Sequence, residues 1–250
     1  QRVAEVCGMM GILPSPADAI FGIEITEELE CSLCGLRSHS NTQRSYFHTA
    51  KTSTICDQLT GNGSGMNHNN NSSFGALLRL PSQHEKSCDI ALGGCGMLSA
   101  PTKKLSHIPA AFTVQLYWDN QSSSESITVC LRAVSEILDL ADILPSSSGN
   151  SNNNTNQQQQ HRGVHVYKLK SVLGVSSNAT STQGGLKYLA LVDNNSRGEV
   201  SSSSSSWVVM DEHGAPNGML PMNWGSLVDN LASSGSMIPV LLFYESIGGR

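Results

Sequence analysis

The chain has 250 residues, a formal net charge of −5 at neutral pH and an isoelectric point near 5.9. This charge gives no general attraction to nucleic acid or anionic lipid, and no apolar stretch approaches the roughly 18–20 residues of a membrane-spanning helix. We therefore expect neither nucleic acid nor a membrane as a partner. Seven cysteines, an odd number, argue against a fully disulfide-paired secreted protein, so we expect an intracellular protein of the cytoplasm or nucleus.

Three polar runs rich in Ser, Asn and Gly or Gln interrupt the chain, around residues 60–73, 146–162 and 194–206. Such runs cannot bury enough apolar area to offset the entropy lost on ordering, so we expect disordered inserts there. The segments between them have a near-normal globular composition and can form a core. Because the chain begins with Gln1 rather than Met, we also expect the natural protein to have residues upstream.

The first hundred residues predict strands and loops. Residues 20–30 are predicted as a strand and Ser45–Ala50 as the strand that returns beside it. Cys56–Ser73 is predicted as a loop, and a short helix is predicted over Phe74–Leu80.

Regular patterns become clearer after Ala111. Phe112, Val114 and Leu116 alternate with polar residues, which predicts a half-buried strand. Apolar residues between Ile127 and Ala141 recur at helical spacing, which predicts one amphipathic helix with Cys130 on its apolar face. The remainder predicts an antiparallel meander, a short helix capped by Asn223 and a last strand, over Val166–Val175, Leu186–Asp193, Trp207–Asp211 and Pro239–Glu245. Together these elements predict an α+β fold.

Four cysteines form two spaced pairs, each followed by a glycine. Cys31 and Cys34 are separated by two residues, and Cys88 and Cys95 by six. Four thiolates suit a tetrahedral structural Zn²⁺ site with no open position for catalysis, although the second spacing is longer than the usual two to four residues. The alternative is four reduced, buried cysteines. A redox role for the first pair is disfavoured because no βαβ unit surrounds it.

The other cysteines are predicted to be structural. They are Cys7, Cys56 and Cys130.

Several segments, in this order, resemble the carboxyl-terminal half of the ubiquitin-specific proteases, which are papain-like cysteine peptidases also called ubiquitin carboxyl-terminal hydrolases. The likeness is greatest to a divergent branch that includes plant proteins and animal members often described as inactive. The segments that carry it are Phe21-Gly-Ile-Glu, Glu30-Cys31-Ser-Leu-Cys34-Gly, Phe74-Gly-Ala-Leu-Leu, Cys88 to Gly96, Pro109 to Trp118, Gly184-Gly-Leu-Lys-Tyr188, Trp207-Val-Val-Met-Asp211 and Pro239 to Glu245.

The resemblance implies one domain over residues 1–250, with zinc-knuckle fingers over residues 20–110 and a palm over residues 111–250. It implies a mainly antiparallel sheet with a few helices. It also implies descent from enzymes that remove ubiquitin from proteins, with ubiquitin or a ubiquitinated protein as the partner.

The family uses a cysteine nucleophile, a histidine base and an acid or amide that orients the histidine. This chain contains no segment like the family's cysteine box. Lys187 lies at the family's histidine position, with Leu186 as the alternative, and Asp211 matches the orienting acid. Leucine does not titrate, and lysine, with a reference pKa near 10.4, is a poor base at neutral pH. His213 is the remaining candidate imidazole near this acid.

These residues favour a catalytically inactive domain that binds ubiquitin or scaffolds a complex. Two alternatives remain. The full-length chain is an active cysteine-type deubiquitinase with a substitute base, or the segment is a zinc-ribbon interaction module unrelated to ubiquitin.

Overall fold

A computed structural model describes most of the chain. It covers residues 15–38, 41–60, 73–79, 86–99, 101–119, 123–143, 165–176, 187–194, 206–211, 213, 220–234 and 237–247. The predicted disordered inserts fall almost entirely outside these residues, as do Cys7 and Leu186. In the described part of the chain, no helix is long and apolar enough to cross a membrane.

A three-stranded antiparallel sheet forms the first part of the fold. Its central strand is β1 (Ile23–Glu28), which lies between β2 (Asn41–Ser45) and β6 (Thr102–His107). A helix that the sequence analysis missed, α1 (Pro16–Phe21), precedes β1. Ser15 caps it, because its hydroxyl accepts the N–H of Asp18 while the Asp18 carboxylate accepts the N–H of Ser15.

A seven-stranded sheet forms the larger part of the fold. Its strands are β3 (His48–Lys51), β7 (Ala111–Tyr117), β8 (Ile137–Asp139), β9 (Val166–Ser176), β10 (Tyr188–Asp193), β11 (Trp207–Met210) and β12 (Met237–Ser246). Six of them lie in the order β11-β10-β9-β12-β7-β3, and β8 pairs with the beginning of β9. Among the described residues, every pairing in this sheet is antiparallel except that of β3 with β7.

Helices pack with the buried strand residues into one hydrophobic core. These helices are α2 (Thr52–Thr60), α3 (Phe74–Leu77), α4 (Ser124–Ala133), α5 (Leu140–Ile143) and α6 (Trp224–Ser234). Helix α4 contacts both α2 and α6, and α3 contacts α5. Leu131 of α4, Leu227 of α6 and Val114 of β7 are fully buried in this core.

The predicted α+β class, mainly antiparallel with few helices, is confirmed. The strand beginning near Ala111, the antiparallel meander of β9, β10 and β11, the last strand β12 and the final helix are also present. Asn223 caps that helix as predicted, because its Oδ1 accepts the N–H of Ser226 at 2.8 Å. The division into fingers and palm stays a prediction; residues before 111 supply the small sheet, and also strand β3 of the large sheet.

Three local predictions are wrong. Ser45–Ala50 is not one strand, because the chain turns at Tyr46 and Phe47, where the Ser45 hydroxyl bonds both the N–H and the C=O of Phe47. The predicted loop from Cys56 begins inside helix α2, whose buried Ile55 joins the core. The helix predicted up to Ala141 ends at Ala133.

The last of these errors has a clear physical cause. Val134 leaves the helical conformation with φ −62° and ψ 120°, and Ile137–Asp139 then pairs with β9. Pairing satisfies the backbone groups of this segment and buries Leu138, so the tertiary context overrides the helical periodicity.

Candidate metal centre

The first cysteine pair lies in a tight knuckle beyond the end of β1. The N–H of Gly35 donates to the C=O of Cys31 at 2.9 Å, and the N–H of Cys31 donates to the C=O of Leu36 at 3.0 Å. Gly35 has a φ of +70°, a left-handed conformation that glycine adopts without strain. The turn therefore folds the chain back immediately after Cys34.

The second cysteine pair lies in a longer knuckle joined to the hairpin of β4 (Lys86–Ser87) and β5 (Leu98–Ser99). The N–H of Cys88 donates to the C=O of Met97 at 2.8 Å, and Gly96, like Gly35, has a left-handed φ, here +74°. A 3₁₀ turn over Ile90–Leu92 takes up the additional residues. The six-residue spacing is longer than is usual for a zinc knuckle, and the extra 3₁₀ turn inside the knuckle accommodates it.

The two knuckles bring the four predicted ligands together. The Sγ atoms of Cys31, Cys34, Cys88 and Cys95 all lie within 4.8 Å of one another. The distance between Sγ atoms is 3.5 Å for Cys31 and Cys95 and 3.6 Å for Cys34 and Cys88. A tetrahedral Zn²⁺ with Zn–S bonds of about 2.3 Å separates its sulfurs by about 3.8 Å, so the spacing fits this ion.

Simple burial does not account for the cluster. Cys31 and Cys88 are buried, whereas Cys34 and Cys95 are exposed. The alternative of four reduced cysteines in an apolar interior therefore explains only one member of each pair.

The electrostatic surroundings of two thiols differ. Backbone N–H groups of Cys34 and Leu33 donate to the sulfur of Cys31 and lower its pKa to about 6. Burial raises the pKa of Cys88 to about 11, against an opposing hydrogen bond from the backbone of Cys95. N–H donors aimed at sulfur favour the thiolate, which is the form that binds metal.

An ion pair that the sequence analysis did not identify ties the knuckles together. Lys86 Nζ contacts the carboxylate of Glu27, a buried residue of β1. The contact joins strand β1, which leads to the first knuckle, to strand β4, which leads to the second. No spacing rule links these two residues, because they are 59 positions apart.

The predicted catalytic positions lie at one end of the large sheet. Lys187 is exposed and immediately precedes β10, and Asp211 immediately follows β11, which pairs antiparallel with β10. Asp211 Oδ1 accepts the backbone N–H of His213 at 2.9 Å, and the C=O of Lys187 accepts the N–H of Ser176 at 2.8 Å. Their assignment as catalytic-site positions stays a prediction.

The large sheet also contains a buried charge cluster that the sequence did not predict. The side chain of Asp193, at the end of β10, is fully buried. Its Oδ2 lies 3.0 Å from Nζ of Lys168 and 3.7 Å from Nζ of Lys170, both on β9. These ion pairs explain how a carboxylate is accommodated at a core position.

Known proteins match this chain in fold but not in sequence. No protein-family model matches the chain, and no curated protein matches its sequence. A chain from a structure of the SAGA Ubp8/Sgf11/Sus1/Sgf73 DUB module matches all of this chain with a TM-score of 0.51 and 10% identity. A chain from a structure of yeast SAGA DUBm with an Sgf73 mutant matches 99% of it with a TM-score of 0.52 and 9% identity.

These matches establish the fold. The chain shares the fold of part of a chain in these deubiquitinase modules. It spans less than half of the length of those chains, 44% and 46% respectively.

Proposed function

We propose that the chain is part of a ubiquitin carboxyl-terminal hydrolase type of domain that binds ubiquitin or a ubiquitinated protein without cleaving it. The observation that carries the proposal is the fold, which matches chains of DUB modules over nearly the whole of this chain. The sequence likeness described above supports it independently. The proposed setting is the cytoplasm or nucleus, with neither nucleic acid nor a membrane as a partner.

The proposed structural role of the cysteine cluster is to hold one Zn²⁺. Cys31, Cys34, Cys88 and Cys95 would be its ligands, and four protein ligands leave no position open for a substrate. A bound ion would cross-link two knuckles that lie more than fifty residues apart in the chain. Its contribution would therefore be to the stability of the fingers and not to chemistry.

The proposed absence of cleavage depends on Lys187. By resemblance it stands where the family has its histidine base. A lysine ammonium has three donors and no acceptor, so at neutral pH it cannot take a proton from a thiol. Because residue 187 is a lysine, there is no histidine at that position for Asp211 to orient. The Oδ1 atom of Asp211 accepts the backbone N–H of His213.

The zinc-ribbon alternative leaves most of the molecule unexplained. A ribbon needs only the two knuckles, whereas the seven-stranded sheet and its helices contain most of the hydrophobic core. The active-enzyme alternative differs from the proposal only in chemistry, so one pair of assays separates all three.

The test combines binding and turnover. Isotope-labelled ubiquitin is titrated with the chain and followed by NMR, with a ubiquitin-like protein of similar size as the control. The longest natural chain that contains these residues is then assayed with a fluorogenic amide of the ubiquitin carboxyl terminus. Binding without turnover is the expected result. Turnover would favour the active enzyme, and a folded chain that binds no ubiquitin would overturn the proposal.

A further inference from the structure

The four thiols are arranged as two close pairs that each cross from one knuckle to the other. The Sγ atoms of Cys31 and Cys95 are 3.5 Å apart, and those of Cys34 and Cys88 are 3.6 Å apart. Each pair contains one buried and one exposed cysteine: Cys31 and Cys88 are buried, and Cys95 and Cys34 are exposed. A solvent-borne oxidant therefore meets one exposed cysteine in each pair, while the other cysteine is buried.

We infer that the cluster is also a redox site, which a peroxide converts into two disulfides, Cys31–Cys95 and Cys34–Cys88. In the first step the thiol of an exposed cysteine gives up its proton and its sulfur attacks one oxygen of hydrogen peroxide. The O–O bond breaks, the sulfur becomes a sulfenic acid, and the leaving hydroxide takes up the released proton to form water. In the second step the buried partner sulfur attacks the sulfenic sulfur, and the hydroxyl leaves as water with the thiol proton. Two peroxides are reduced as four thiols are oxidised to two disulfides.

The contacts at 3.5 and 3.6 Å both join one knuckle to the other, which favours bridges between knuckles. A disulfide S–S bond of about 2.05 Å requires each close pair to approach by about 1.5 Å, a small movement for rotating side chains. The two cysteines of one knuckle belong to different close pairs, so an internal bridge would take a sulfur away from its near partner. Burial of Cys31 and Cys88 also limits their own direct oxidation.

The bridges would keep the knuckles joined without a metal ion. Cys31 and Cys95 are 64 positions apart, and Cys34 and Cys88 are 54 apart. Cross-links that close long loops restrict the unfolded chain more than cross-links that close short ones. The oxidised form is therefore a locked state of the same knuckles, which a thiol reductant returns to the metal-binding state. This inference depends on the thiol geometry and not on the proposed ubiquitin function.

The experiment oxidises the folded 250-residue chain with hydrogen peroxide, blocks remaining thiols with N-ethylmaleimide and digests it without reduction. Chymotrypsin is suitable because it can cleave after Leu33, between Cys31 and Cys34, and after Leu92, between Cys88 and Cys95. Each cysteine then lies on its own peptide, so the bridges can be told apart. Mass spectrometry should identify the Cys31–Cys95 and Cys34–Cys88 bridges, with loss of all four thiols of the cluster. Dithiothreitol should restore the thiols, and Cys130, which is fully buried, should stay reduced throughout.

Two double variants provide a matched comparison. Cys34→Ser with Cys88→Ser keeps the close pair of Cys31 and Cys95, whereas Cys34→Ser with Cys95→Ser keeps two buried cysteines, Cys31 and Cys88. The first should form its bridge at least about tenfold faster, because Cys95 is exposed to the oxidant and its sulfur lies 3.5 Å from that of Cys31. Should either variant fail to fold, the bridge map of the unmodified chain still decides. Bridges within the knuckles, or accumulation of sulfinic acid without bridges, would overturn the inference.

Discussion

Trp207 Nε1 donates a hydrogen bond to Oε1 of Glu136 at 3.0 Å, joining edge strand β11 to the segment between α4 and β8. Trp207 is buried and packs against the ring of Trp224, with 4.8 Å between the ring centroids. Trp224 Nε1 in turn donates to the C=O of Val134. The two indoles thus hold Val134 and Glu136, which lie in the segment that interrupts the predicted long helix.

Trp207→Phe is expected to destabilise the fold by about 2 kcal/mol, because the hydrogen bond to the Glu136 side chain is lost in a partly buried setting. Urea unfolding followed by circular dichroism measures the free energy of unfolding. Glu136→Gln is the matched control, since its amide oxygen still accepts the indole N–H. Equal stability of Trp207→Phe and the unmodified chain would show that the contact contributes nothing.

Gly94→Ala is expected to weaken metal binding and lower stability. A Cβ at this position would lie 2.4 Å from Sγ of Cys88 and 2.6 Å from the C=O of Asp89, so the thiol would have to move. Competition with a chromogenic chelator measures the affinity. Gly225→Ala is the control, because its nearest neighbour is Asn223 Oδ1 at 3.6 Å, and in a helix it should add roughly 0.5 kcal/mol of stability. Unchanged affinity in Gly94→Ala would contradict the expected displacement.

The purified chain should contain about one zinc per molecule, and Cys34→Ser should lose it, because three remaining thiolates no longer complete the tetrahedral set. Atomic emission spectroscopy on dialysed protein measures the content. Cys56→Ser is the control and should retain the metal, since Cys56 contacts the C=O of Ser126 and lies outside the cluster. A metal-free preparation of the unmodified chain that is stably folded would contradict the zinc assignment.

Lys187→His should raise cleavage in a natural chain that also carries the family's cysteine nucleophile. A positioned general base contributes about a hundredfold or more, so hydrolysis of the fluorogenic ubiquitin amide should rise well above background. Lys187 is exposed, and the change should leave folding intact. Leu186→His tests the alternative alignment. Background rates in both variants would count against this position as the site of the missing base.

The cluster of four cysteines shows how much could be predicted from local sequence. The spacing of Cys31 and Cys34 and the glycine after each pair indicated a knuckle, because such turns are formed by neighbouring residues. The sequence could not show that the sulfurs of the two pairs come within hydrogen-bond distance, since that requires two segments more than fifty residues apart to meet. The ion pair between Glu27 and Lys86, which helps to hold them there, follows no sequence pattern.

The sequence by itself determined the α+β class, the strands with strict alternation such as β7, and the helix α6 with its Asn223 cap. These depend on periodicity and capping, which act over a few residues. Tertiary structure alone decided that Ile137–Asp139 pairs with β9, that β3 crosses to the large sheet, and that Asp193 is buried with Lys168 and Lys170. In each case the deciding free energy comes from backbone groups or charges that find partners far along the chain, and no local pattern records those partners.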